Sequence, residues 1–275
     1  SNGSNNFTGA VSLSNSGSNA VSLTNSTALN VGTVGVGSTL SLTAGGSITQ
    51  SGVITATGGA TTLAVSTATS DILLNTQANN FGTTAPVFGG TLTNIRDIGL
   101  RNTNAGAALP SFTGISNLRN LTLQFDSAAI ALPAITLTSS GNFSATAGGA
   151  ITQTGVLTVP GTSSFTAGTN AITLGQSNLL TGAVSFSNSG TNAVSLTNAL
   201  ATVLGASTVG QNFSVTTTGG TGAITQTGAL VVPGTASFTA GGTAGAITLS
   251  NGSNNFTGAV SLSNSGSNAV SLTNS

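Results

Sequence analysis

Cysteine, methionine, tryptophan, tyrosine, histidine, lysine and glutamate are all missing from this chain of 275 residues, and three Arg and three Asp are its only charges. Each absence closes a branch of chemistry. Without His, Cys, Lys or Glu there is no imidazole base, thiolate nucleophile, Schiff-base amine or soft metal ligand, so acid–base work would fall to three Asp alone. The sequence therefore predicts a protein that is not an enzyme and takes no cofactor or metal. Lack of Cys also means that disulfides cannot supply stability. No basic patch or aromatic platform is present to hold nucleic acid. No apolar run approaches the roughly 18 residues of a membrane span, and no basic start followed by an apolar stretch marks a signal peptide, so membrane insertion is not expected.

What remains is Ser, Thr, Asn and 39 Gly, with 38% apolar residues and zero net charge. Disordered chains combine low hydrophobicity with high net charge, and this composition has neither, so the chain should fold. Its strongest signal is repetition. Residues 250–275 reproduce residues 1–26, SNGSNNFTGAVSLSNSGSNAVSLTNS, which sets a long period of 249 residues. Inside that period GAITQTGVLTVPGTSSFTAG at 149–168 returns as GAITQTGALVVPGTASFTAG at 222–241, with GGSITQSG at 45–52 as a third echo. TGAVSLSNSGSNAVSLTN at 8–25 likewise returns as TGAVSFSNSGTNAVSLTN at 181–198. These echoes define sub-repeats of about 73–75 residues, long enough to hold several supersecondary units each. The spacing of Phe143, Phe165, Phe186, Phe213, Phe238 and Leu262 divides each sub-repeat into about three coils of roughly 22–27 residues.

Local pattern supplies the secondary structure. AVSL, TLSL, AITL and FSVT alternate apolar residues with Ser or Thr, the period of a half-buried strand. NSG, GG, VPG and TGG between them are turn formers. Short strands at this spacing predict an all-β, right-handed parallel β-helix (β-solenoid), in which each strand pairs with its equivalent one coil on. The expected organisation is a single continuous segment over 1–275, part of a longer repetitive chain. Val11, Leu13, Val21 and Leu23 should point inward, Ser12 and Ser22 outward, and Phe143, Phe165, Phe186, Phe213 and Phe238 should stack as core columns.

GAITQTGxLxVPGTxSFTAG, then AITL, then NNFTGAVSLSNSGxNAVSLTN resemble the β-strand repeats of filamentous-haemagglutinin-like large exoproteins, over nearly the whole chain. The resemblance implies a bacterial adhesin exported by two-partner or autotransporter-type secretion, located at the cell surface or outside the cell, and acting in adhesion, aggregation and biofilm. Its implied partners are neighbouring copies or repeats of itself and host-surface or matrix glycans. Those repeats usually carry more corner Asp than the Asn seen here. A surface with so little charge repels its neighbours weakly, which favours filaments and lateral bundling.

Three groups of residues are candidates for more specific roles. Arg96, Asp97, Arg101, Arg119 and Asp126 form a charged island, with Asp71 the remaining charge. Its spacing suits ion pairs between coils, and the competing reading is a carboxylate pair of a polysaccharide-degrading β-helix. Asn15, Asn188 and Asn264 share the context SNSG and suit a corner ladder of stacked amides. Thr55 and Thr57, Thr67 and Thr69, Thr91 and Thr93, and Thr136 and Thr138 form TxT pairs of the kind that ice-binding solenoids array, but their spacing keeps no register. The function expected is an extracellular structural or adhesive filament, with a ligand-binding solenoid surface, ice-binding or lectin-like, as the alternative.

Overall fold

A computed structural model describes residues 2–220, 222–242 and 245–275, and nearly all their regular structure is short β-strand. A 3-10 turn at Leu92–Asn94 is the one helical element among the described residues. Every strand pair described is parallel, and the strands stack in about 12 coils of roughly 22 residues, a β-solenoid. Turns differ in length, from short ones such as Val21 to Leu40 to long ones such as Ile72 to Ile98, each pair being register partners one coil apart. The alternation seen in sequence appears as burial, for instance in Leu40–Ala44, where Leu40, Leu42 and Ala44 are buried and Ser41 and Thr43 are not. A strand this short buries two or three side chains, each stabilising by about 1.5–3 kcal/mol. That cannot offset the entropy of ordering a whole coil, so a coil persists only against its neighbours.

The chain divides into two compact units, Ser1–Ala128 and Ala129–Ser275. In the first, Val21–Asn25, Leu40–Ala44, Thr61–Val65 and Val87–Gly89 form one ladder. A second ladder runs from Ala10–Asn15 to Leu29–Val36, whose two halves pair with Ile48–Gln50 and Ile54–Ala56 across a bend. It continues through Ser70–Leu74 and Ile95–Asn102 to Asn120–Phe125.

The second unit has three faces. The first is a ladder of seven strands: Ile130–Leu132, Ile151–Gln153, Ile172–Leu180, Val194–Asn198, Phe213–Thr217, Ala236–Ala240 and Val260–Asn264. The second begins with Phe143–Ala147, Ser163–Thr166 and Ala183–Ser187, then divides between Thr202–Leu204 and Ser207–Thr208. The third carries Ile135–Thr136 and Leu157–Val159 and ends on Leu179 and Leu180. There the side chain of Asn198 stands in for a strand, accepting from the Leu180 N–H and donating to the Leu180 carbonyl.

Near-identical sequences occupy different faces of this unit. Ile151 of the first GAITQTG lies on the first face, whereas Ile224 of the second lies on the continuation of the second face. Phe165 is on the second face and its counterpart Phe238 on the first. The two copies begin at Gly149 and Gly222, an offset that fits the about three coils expected from sequence but, at roughly 22 residues per turn, is not a whole number of turns. Each copy consequently starts on a different face.

Candidate functional site

The charges are arranged by strand register. Asp71 lies in Ser70–Leu74, while Arg96, Asp97 and Arg101 lie in Ile95–Asn102, and Arg119 and Asp126 flank Asn120–Phe125. Each Arg reaches one coil along to an Asp with both arms of its planar fork. Arg96 donates to Asp71 from Nε at 2.9 Å and Nη2 at 2.7 Å. Arg101 donates to Asp126 from Nε at 3.0 Å and Nη2 at 2.8 Å. Arg119 donates to Asp97 from Nε at 3.0 Å and also from Nη2. The ion pairs between coils that the spacing suits are therefore present, and the register fixes their partners as Arg96 with Asp71, Arg101 with Asp126 and Arg119 with Asp97.

Asp97 also accepts from the Asn120 N–H at 3.0 Å and the Asn120 amide at 3.1 Å. Its burial favours the neutral acid, but the hydrogen bonds from Arg119 and Asn120, helped by the Arg119 charge, outweigh burial and hold its pKa below the usual carboxylate value. The Arg96 and Arg119 guanidiniums are raised, each chiefly by hydrogen bonding to its Asp. All three carboxylates are thus engaged, which suits fastening coils rather than moving protons.

A second device recurs three times. In each ITQ strand the Gln amide donates to the carbonyl of the Gly two residues on and to the Oδ1 of a fully buried Asn in the next coil. The pairs are Gln50 with Asn79, Gln153 with Asn178 and Gln226 with Asn254, at 2.9, 2.9 and 2.8 Å. The same Asn Oδ1 accepts the N–H of Ile54, Leu157 or Leu230. Its amide returns a bond to the Gln Oε1. The Gly is required because a Cβ on Gly52, Gly155 or Gly228 would overlap backbone of the preceding coil at Thr33, Ala134 or Ala206. Sequence reading missed these Asn because the Gln-to-Asn distance varies, 29, 25 and 28 residues. The signal available was an Asn before NF or LL after every ITQ[ST]G.

The proposed corner ladder of Asn15, Asn188 and Asn264 is corrected. Each amide donates to a backbone carbonyl four residues on, in Asn19, Asn192 and Asn268. Asn188 follows the strand Ala183–Ser187 and Asn264 ends Val260–Asn264, on different faces, so the amides do not stack on one another. Asn188 also bonds backbone on either side of its own turn, donating to the Asn170 carbonyl at 2.9 Å and accepting from the Gly210 N–H at 3.0 Å.

Among the core columns, Phe143, Phe165, Phe186, Phe213 and Phe238 are buried, with successive ring centroids 5.5–5.7 Å apart. The stack continues to Phe256 at 6.0 Å, while Leu262 is the strand partner of Phe238. Leu23 is buried, and Val11, Leu13 and Val21 are half-buried in the first coil. The TxT pairs form no array: Thr69 sits in a left-handed turn, and Thr91 and Thr93 belong to the 3-10 turn. A shallow cleft of about 240 Å³ between Asn188, Thr208, Val231, Pro233 and Asn255 contains no titratable side chain.

Parallel ladders, coil-to-coil fasteners and an apolar interior in each unit define the class, a β-solenoid repeat protein. The chain belongs to the family of Repeats of unknown function (DUF5649), which matches residues 18–87, 118–187 and 191–263. Each matched repeat holds one Gln–Asn pair, and Arg96, Asp97 and Arg101 lie in the segment between the first and second repeats. No curated protein and no solved structure matches the chain.

Proposed function

We propose that this chain is a non-catalytic structural and adhesive segment of a filamentous-haemagglutinin-like bacterial surface protein, working outside the cell as part of a filament or stalk. The observation that carries the reading is the use of charge. Every ionised side chain among the described residues is spent on joining one coil to the next, and the outward strand positions are mostly neutral Ser, Thr and Asn. Such a surface offers many equivalent weak contacts, and repetition turns weak contacts into avidity. Neighbouring copies and matrix glycans are the partners that suit it.

The test uses the intact chain coupled to beads. Beads should aggregate with one another or adhere to glycan-coated surfaces, with little change between low and high salt, because neutral contacts are not screened. Dispersed beads that ignore every surface, or release of reducing sugar from a polysaccharide by the chain, would remove the proposal.

A further inference from the structure

The first face of the Ala129–Ser275 unit carries two straight columns of outward hydroxyls. Ser195, Ser214, Ser237 and Ser261 are consecutive register partners in one column. Thr197, Thr216, Thr239 and Ser263 form the other, with no register shift along either. Beneath them Leu196, Val215 and Phe238 are buried and fix the strands from below. All eight residues are at least partly exposed. None of their hydroxyls takes a protein hydrogen-bond partner among the described residues, and no charged side chain lies in these four strands.

Spacing determines what such a grid can hold. Hydroxyls one coil apart are about 4.8 Å from each other, too far for a direct hydrogen bond. A single water about 2.8 Å from both subtends an angle of about 118°, near tetrahedral, and so bridges them without strain. Along a strand the two columns are about 6.8 Å apart, a span that two waters in a tetrahedral chain cover. The grid therefore matches a layer of tetrahedrally bonded water on both axes. Sugars are usually held by aromatic stacking, and the rings Phe213 and Phe238 of this face point inward.

We propose that this face binds ice, through a layer of water ordered by the two hydroxyl columns. The ligand is crystalline water, and the site is independent of any adhesive role for the chain. It also differs from the TxT pairs picked out by sequence, since its motif is S-x-T and its register is set by the ladder.

Ice-affinity partition and inhibition of ice recrystallisation by the intact chain test this. The parent should enter the ice fraction and hold crystals small. Thr216→Tyr/Thr239→Tyr and, separately, Ser214→Tyr/Ser237→Tyr should lose both effects while keeping the parent's circular-dichroism melt, since Tyr suits a strand and points outward. Leu179→Tyr, on the third face, should keep them. A parent excluded from ice overturns the proposal, as does loss of activity in Leu179→Tyr equal to that of the double variants. Activity that disappears when the chain is dispersed to monomers assigns the columns to self-association and overturns it as well.

Discussion

Asn178 shows how much a single side chain can hold in this fold. It accepts from Gln153 and the Leu157 N–H and donates to the carbonyls of Gln176 and Thr197, so one amide joins three successive coils. Asn178→Ala leaves several buried polar groups unpaired at about 1–3 kcal/mol each. A loss of about 3–5 kcal/mol in urea unfolding is expected, with Asn178→Asp no better because it cannot donate and would bury a charge. Asp97 makes the corresponding case for charge. Its folded pKa is depressed, so its stabilisation is present above the unfolded value of about 3.9 and is lost as pH falls through the folded value. The chain lacks His, Cys, Lys and Tyr, the side chains whose ordinary pKa values lie between about 5 and 12. The melting temperature should thus be flat from about pH 5 to pH 10 and fall on acidification below about pH 4, and Asp97→Asn should flatten part of that acid limb while lowering the plateau.

At the scale of strands and coils, interior and exterior follow different rules. The ring stack passes from Phe186 on the second face to Phe213 on the first with centroids still 5.6 Å apart. Rings from adjacent faces meet inside the coil, so an aromatic column need not follow one ladder. The sequence gap between these two Phe, the longest in the series, marks the point where the motif changes face. Outside, the strand register alone decides alignment, and a hydroxyl column lasts only as long as the register is unbroken. At corners the constraint is backbone against backbone: a Cβ on Gly58 would overlap the Gly37 carbonyl, and one on Gly219 the Ala199 carbonyl. Glycine at these bends is imposed by the coil beneath, in addition to any turn preference.

Over the whole chain, the mismatch between repeat length and turn length governs which changes are tolerated. Removing positions 149–221, one whole sub-repeat, joins Gly148 to Gly222 and presents the same ITQTG motif to the preceding coils. That deletion should keep the far-ultraviolet β signal and lose only the stability of the missing coils, as expected when stability sums over neighbours. Removing positions 172–193, a single turn on the first face, deletes Asn178 and strands Gln153. The shorter deletion should therefore melt at the lower temperature, and the opposite order would mean that the Gln–Asn fasteners contribute little.

The sequence by itself determined that the chain is a parallel β-solenoid, because alternation, corner Gly and Asn, and long-period identity are all local or one-dimensional signals. It also marked Leu23 and the buried Phe residues, since an apolar residue in an alternating strand has one face to choose. Tertiary structure alone decided which Asp meets which Arg, that Asn79, Asn178 and Asn254 receive a Gln from the coil before, and that Asn15, Asn188 and Asn264 bond to their own turns. It also decided that Ser and Thr of successive repeats line up on one face. The physical reason is common to all of these: coils differ in length, the turn from Val21 to Leu40 being much shorter than that from Ile72 to Ile98, so a constant position around the solenoid is not a constant distance in sequence.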